Sequence, residues 1–514
     1  MGLMRFRVPN ATEYDPQIWS TAFISGLEGV PWACRNRLVD DCLTIERTVN
    51  ESGKLSIVWP TEDYGPIVLT TGSLRCVDRP YWLQLELARG SLHRVRGRGL
   101  DWQRVGLKLP NAYADLIEEA MELFIQAATS TDSPEEMCVL AQRSIDKSIG
   151  ASRPLTRAFV SQSLQARHQQ EKQFSALLGV RVTPEPTWKP GAELALPAMN
   201  TLNVSMELGD IEATRFDEAV SIIDEQIEWA RNQGLRVFGG PFLNLQSHAI
   251  PKWFYLFNDF DSLYRSAVEH ATKLVDRYRG RIHLWNSASG LNAPNPLGLN
   301  DEQVLQLAVG VIQAVRRSDP KTPVILSIDA PWAEYLSAKP DGISPLHFAD
   351  ALVRADLGLS GLGLELNLNF WPTGSLPRDL VDISDLVDHW NILGLPLLVT
   401  VTTPCGVAND ALAMAKSNVV SSWKYQRSGS LGEPYSGSSS DEASKDSVRT
   451  SQMSANGLEV VRMLLAKNNV HGIIWNQLSD RAPHAFPNSG LIDAHGVQRS
   501  MLEGLVQLRR MHIH

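Results

Sequence analysis

Two acidic residues close apolar runs in the second half of this chain. Asp329 ends VILSID (324–329), and Glu365 sits within LGLELNLN (362–369). Alternation along the second run puts Glu365, Asn367 and Asn369 on one face and Leu364, Leu366 and Leu368 on the other. Three polar residues on one side of a buried strand are expected to point into a polar mouth. Neighbouring strands lie about 4.8 Å apart, so two inward carboxyls here come close enough for one to hold a proton as general acid while the other stays ionised as a nucleophile. Asp480, in IIWNQLSD (473–480), is a third candidate, with His484 nearby. Asp329 and Asp480 also suit hydrogen-bonded structural roles. Trp285, Trp332, Trp371 and Trp475 each end or follow an apolar run and offer indole faces to sugar rings. Asn286, Asn367, Asn476 and Gln477 offer amides to hydroxyl groups, and His484 joins them as a binding candidate.

These residues need a scaffold. From LNVSMEL (202–208) onward, β-branched apolar runs alternate with amphipathic stretches. They include FDEAVSIIDEQIEWARNQG, FDSLYRSAVEHATKLVDRYRG, DEQVLQLAVGVIQAVRRSD and LVDISDLVDHWNILG. That alternation means a parallel sheet covered by helices, and about eight units favour a closed (β/α)₈ TIM barrel over an open doubly wound sheet. The barrel is expected over 183–514, after the Pro-rich entry TPEPTWKPGAELALP (183–197). A Ser-rich, polar stretch at 424–453 interrupts it and reads as an inserted mobile surface loop.

Residues 1–109 read as a small β-sandwich, with strands expected at 43–49, 54–60, 67–74 and 81–88 between Gly, Pro, Asn and Asp turn signals. By analogy with sandwiches that precede such barrels, it is expected to be carbohydrate-binding-like. A helical hairpin and linker are expected over 110–182, where ADLIEEAMELFIQAA (114–128) carries a helical period and Ser133 caps a second helix with Glu136 three residues on.

The chain has 514 residues, 43% of them hydrophobic and 20% charged, and a formal net charge of -9. This is ordinary folded-protein usage. With no basic block, nucleic acid is excluded as a partner. No apolar window is long enough for a bilayer span, so no membrane partner is expected. The start, MGLMRFRVPNATEYDP, shows no secretory h-region, and a cytoplasmic location is expected. The five cysteines, Cys34, Cys42, Cys76, Cys138 and Cys405, lack paired spacing and read as free thiols. His283 and His347 show no ligand spacing, so no metal is expected, and with no glycine-rich phosphate motif no cofactor is expected either. The sequence specifies no oligomeric state.

Four segments in order carry a resemblance to a known family. FLNLQSHAIPKWF (242–254) resembles the Gly-His-Thr-Leu-Val-Trp-His-Ser-Gln-x-Pro-x-Trp segment of glycoside hydrolase family 10, the xylanases, keeping Pro251 and Trp253. IHLWNSASG (282–290) is similar to the family's Trp-Asp-Val-Val-Asn-Glu strand and keeps Trp285; GLGLELN (361–367) is similar to Gly-Ile-Gly-Leu-Gln-x-His. IIWNQLSD and the following GLIDAHGVQRSMLEGL resemble the closing Trp-Gly-x-x-Asp and Leu-x-Asp segments. The resemblance covers about Ala192 to Arg510 and implies a TIM barrel acting on a β-linked, xylan-type polysaccharide or oligosaccharide.

It also implies catalytic glutamates ending strands four and seven. Here the acid position falls on Gly290, with Ser289 in place of the preceding Asn, and the nucleophile position falls on Val401. Phe242, Gln246 and Ser247 replace active-site His and Trp, and Glu365 and Asn367 replace Gln and His. Two readings follow. One is a divergent glycoside hydrolase with relocated carboxylates, Glu365 foremost. The other is a carbohydrate-binding pseudo-glycosidase that kept the cleft without turnover.

Overall fold

The computed structural model describes residues 1–514 apart from 63, 131, 215, 247–248, 258, 340–341, 407–409 and 415–452. Ser247 and the Ser-rich stretch at 424–453, Met453 excepted, therefore lie outside the described residues. Eight parallel strands close into a barrel: Leu177–Val182, Thr201–Val204, Arg236–Gly239, Leu284–Asn286, Val324–Asp329, Gly361–Asn367, Leu397–Thr402 and Val470–Trp475. They are numbered first to eighth below. Helices follow the strands, among them Phe216–Asn232, Phe260–Tyr278, Asp301–Ser318, Leu380–Trp390 and Ser500–His512. The amphipathic stretches form helices because each places an apolar stripe at the 3.6-residue period against the outside of the sheet. Asn300 caps one of them with a full capping box to Gln303. Among the described residues, no helix is long and apolar enough to cross a membrane.

The barrel starts earlier than its Pro-rich entry suggests. Its first strand, Leu177–Val182, lies in the stretch expected as linker, and it closes the ring by pairing with both the second and the eighth strands. The run LLGVRV is short and contains Gly179 and Arg181, which weakens its strand signal.

Two four-stranded sheets and three long helices precede the barrel. One sheet joins Cys34–Val39, Cys42–Arg47, Gly2–Arg7 and Tyr81–Trp82; the other joins Pro31–Trp32, Phe23–Ser25, Gly53–Thr61 and Gly65–Leu74. Residues from both sheets and from the helices share one core that includes Phe6, Ile45, Trp59, Leu87 and Ile145. The expected strand at 81–88 is corrected: only Tyr81–Trp82 pairs, and a helix runs over Leu83–Arg104. Alternating leucines in LQLEL imitate a strand over five residues, but the buried set Leu83, Leu87, Ser91, Val95 and Trp102 follows a helix over six turns. Gly90 hides that pattern because the helix crosses Thr70 so closely that a Cβ would lie 2.0 Å from its carbonyl oxygen. The two further helices, Asn111–Thr129 and Pro134–Gln170, match the helical reading, and Ser133 accepts from the Glu136 amide.

This N-terminal part is bolted to the barrel beside the sixth strand. Arg94 donates to both oxygens of Asp379 at 2.8 and 2.6 Å and to Asp382 at 2.7 Å. Asp379 is fully buried and also caps the helix Leu380–Trp390. Leu376, from the same loop, enters the N-terminal core, and Val68 donates to Pro377 at 2.9 Å. Removing the guanidinium strands the buried Asp379 carboxylate and takes one of two arginines from the half-buried Asp382, a loss that typically costs about 3–5 kcal/mol for a buried pair. Arg94→Met is therefore expected to lower the urea midpoint measured by tryptophan fluorescence and to expose the seam to limited proteolysis. An unchanged midpoint would show that the pair does not hold the two parts together.

Candidate functional site

The C-terminal ends of the barrel strands surround a cavity open to solvent. Ligand sites of such barrels occupy this face, where loops from several strands converge. Asp329, Glu365, Asn367, Asn476 and His484, all named from the sequence, line it together. Gln477 does so as well.

Strand register brings the two acids together. The fifth and sixth strands pair with Asp329 opposite Glu365, so both side chains share the inward face. Ser289 donates to Glu365 at 2.8 Å, while Asn367 and the Ala330 amide donate to Asp329 at 3.1 and 2.7 Å. Thr402 in turn donates to the Asn367 carbonyl oxygen at 2.6 Å and fixes its amide. Burial pushes the Glu365 carboxyl up to about 7; the negative charge of Asp329 adds to this, and Arg181 opposes it. Burial pushes Asp329 up to about 6, against the Ala330 and Asn367 hydrogen bonds that favour its ionised form. Burial thus holds both carboxyls above the ordinary carboxylate range.

Across the cavity stand groups the sequence reading missed. Arg181, from the first strand, pairs with Glu207 at 2.6 Å and donates to Ser205 at 3.1 Å and Asn476 at 3.3 Å. Asn244 donates to the same Glu207 at 3.1 Å. Asn244 and Ser289 are held by a two-stranded parallel extension, Leu243–Asn244 with Ala288–Ser289, that prolongs the third and fourth strands into the mouth. Glu185, in the loop after the first strand, is pushed up to about 7, mainly by burial and then by the charge of Asp210. Glu207 was legible by the logic that found Glu365, since it alternates with Asn203 and Ser205 on one side of the run LNVSMEL. Arg181 was not, because its strand read as linker.

The remaining named residues lie elsewhere. Trp285 and Trp475 are buried at the ends of the fourth and eighth strands, facing outward, with their indole N–H groups on Asp319 at 3.1 Å and the Ser489 carbonyl at 2.9 Å. They pack the sheet against its helices and present no ring to the cavity. Asn286 faces inward but below the mouth, donating to Ser327 at 2.9 Å. Trp332 stacks under Arg378, with the guanidinium carbon 5.1 Å from the ring centre, and Trp371 packs on the N-terminal core. Asp480 is not among the lining residues. It accepts from Gln477 at 2.6 Å, from the Gly490 amide at 2.8 Å and from Arg499 at 2.5 Å, so its lone pairs serve the closing loop. His484 sits between the Ala482 carbonyl and Asp410, each at 2.9 Å. Asp410, Asp480 and His484 bring ligand-type atoms within 4.8 Å of one another. Arg499 already supplies the cation beside that trio.

Both positions of the family's catalytic glutamates are structurally filled. Gly290 has a φ of +65°, and a Cβ there would lie 2.9 Å from Asn244 Oδ1 and 3.1 Å from Gln246 Cγ. Val401 pairs with Leu366 on the outward face of the sheet, whereas Thr400 and Thr402 pair with Glu365 and Asn367 on the inward one. A carboxylate at 401 would therefore enter the helical layer.

No family model and no curated protein matches the sequence. Among solved structures, the chain is similar to the glycoside hydrolase family 10 xylanase of Thermobacillus composti, with 15% identity and a TM-score of 0.44 over 65% of this chain and 96% of that one. It is also similar to xylanase 10B of Thermotoga maritima, with 13% identity and a TM-score of 0.44 over 68% and 98% of the two chains. The intracellular xylanase of Thermoanaerobacterium saccharolyticum gives 15% identity and a TM-score of 0.43 over 65% and 96%. What the chain has in common with them is the parallel eight-stranded barrel, and the likeness extends no further than that architecture.

Proposed function

We propose that the cavity cleaves a β-linked oligosaccharide or polysaccharide, with Glu365 as general acid and Asp329 as its carboxylate partner. The observation that carries this reading is the register that opposes two buried carboxyls at the cavity floor, both raised toward neutrality. Glu365, protonated near neutral pH, gives its proton to the glycosidic oxygen as the bond to the leaving sugar breaks. Asp329, the lower of the two, remains ionised and attacks the anomeric carbon. Water then releases the sugar, with Glu365 taking a proton from it. Asn476, Gln477 and His484 supply polar contacts to hydroxyl groups, and a xylan-type chain is the substrate the sequence motifs imply.

The filled position at Gly290 favours a second reading, sugar binding without turnover. One experiment separates the two. Wild-type protein and its Glu365→Gln and Asp329→Asn variants are incubated with xylan, mannan and β-glucan oligosaccharides, and reducing ends are counted. Each variant is expected to lose roughly 100-fold or more of the wild-type rate. Equal release by all three proteins would overturn the assigned roles, and binding with no release by any of them would establish the second reading.

The pH profile follows from the same pair. Activity requires Asp329 ionised and Glu365 protonated, so kcat/KM is expected to rise through about 6, peak, and fall through about 7. A flat profile between about pH 5 and 9 would contradict the pairing.

Stability has the opposite sign from the usual acidic residue. A carboxyl whose folded value lies above its unfolded one stabilises the fold below the unfolded value, near 4.5 for Glu365. That contribution is lost as pH rises through about 7. Glu365→Gln is thus expected to be more stable than wild type at about pH 8, by roughly 1–3 kcal/mol, with the gain vanishing near pH 4. Thermal unfolding at the two pH values measures it, and a variant less stable at both would contradict the burial argument.

A further inference from the structure

A second cavity lies where the N-terminal part meets the barrel rim, and it shares no lining residue with the first. Tyr64, Pro66 and Ile67 form one wall; Asn369, Arg378 and Thr403, from the loops after the sixth and seventh strands, stand on the other. Asn369 was expected to share a face with Glu365 and Asn367. Its φ of +74° takes it out of the strand alternation, and it lines this second cavity instead. Three buried polar atoms of these residues have no hydrogen-bond partner among the described residues: Asn369 Oδ1, Thr403 Oγ1 and Arg378 Nε. Thr403 is only 6% exposed. Gly457, which lines the same cavity, leaves the Thr403 hydroxyl uncovered, since a Cβ at 457 would lie 2.8 Å from Oγ1. A buried polar atom without a partner is costly, and each of the three calls for one. Among the described residues, both charged side chains of the lining are already paired: Glu459 with Arg157 at 2.8 Å, and Arg378 with Glu334 and, at 3.8 Å, with Asp382.

We propose that this cavity binds a neutral saccharide, held by Asn369, Thr403 and Arg378, and that the sugar bridges the N-terminal part to the barrel. Paired charges leave nothing there for an anion or an ammonium to neutralise. What stays open is one acceptor, one N–H donor and one hydroxyl that serves as either. A sugar ring answers all three, because each of its hydroxyls both donates and accepts. Its C–H face suits the apolar part of the lining, which includes Pro66, Pro377, Leu380 and Pro404. A peptide segment offers its N–H and C=O groups in a fixed order and is the poorer match. The site stands apart from Glu365 and does not depend on cleavage in the first cavity. A ligand that touches both parts stabilises their docked arrangement, so binding here also tightens the seam that Arg94 and Asp379 close.

Calorimetric titration of the full chain with xylobiose and with cellobiose tests this, in a Glu365→Gln parent so that turnover does not consume the probe. Adding Thr403→Val, or Asn369→Gly, which keeps the positive φ, is expected to weaken one saccharide site about tenfold. Thr403→Ser, which restores a hydroxyl, is expected to return it. A saturating disaccharide is expected to raise the urea midpoint of the parent, and the rise should shrink in Thr403→Val. Unchanged midpoints without ligand show that the variants are folded. Equal affinities in the parent, Thr403→Val and Asn369→Gly overturn the proposal. So does the absence of saccharide binding, or tighter binding of an N-acetylated dipeptide amide than of either sugar. Thr403→Val alone is expected to keep the wild-type rate of reducing-end release, so the cleavage reading stands or falls separately, on the Glu365 and Asp329 variants.

Discussion

Burying two carboxyls side by side is the constraint to which the rest of the cavity answers. Asp329 and Glu365 are opposed by strand register, so neither can turn away without breaking a barrel ladder. Each then needs donors that a closed sheet interior does not supply by itself. The neighbouring strands provide them through Ser289 on one side and through Asn367, held by Thr402, on the other. Arg181 reaches across from the first strand to lend positive charge while staying tied to Glu207. Residues from the first, fourth, sixth and seventh strands or their extensions thus surround a single acidic pair. Such a polar floor weakens the fold at the point where it is most useful, the expected trade at a functional site.

Much of the scaffold was legible because its signals are long. Helices such as Phe260–Tyr278 and Asp301–Ser318 repeat their apolar stripe over several turns, and seven of the barrel strands lie in apolar runs between them. What was not legible is short or two-faced. Leu177–Val182 has six residues with a glycine and an arginine among them, and only its two strand partners make it a barrel member. Leu83–Arg104 begins with a strand-like alternation and carries glycines where other chain segments press against it. In both cases tertiary contact, absent from any local window, decides the element.

The site was half legible for a related reason. An acid amid asparagines on a buried strand announces itself, and Glu365 and Asn367 do line the cavity with Asp329. The tryptophans misled, because position at a strand end does not say which face a side chain takes. Trp285 and Trp475 fall on the outward parity, where an indole fills the gap between sheet and helix and its N–H meets Asp319 or a carbonyl. Asp480 misled differently: its loop needs an anion to gather Arg499, Gln477 and the Gly490 amide, and it is used up there.

The resemblance read from the sequence motifs implies carboxyls on the fourth and seventh strands, which are separated in the ring by the fifth and sixth. Here the pair occupies those two intervening strands and is adjacent rather than facing across the mouth. The two positions that the resemblance points to have no room for a carboxylate in the cavity. Asn244 and Gln246 lie against Gly290, and the side chain of Val401 faces the helical layer. Restoring a glutamate at either point would thus create a collision or a buried unpaired charge rather than a catalyst. A barrel rim supplies eight equivalent strand ends, and nothing in the closed ladder ties an acidic pair to any two of them.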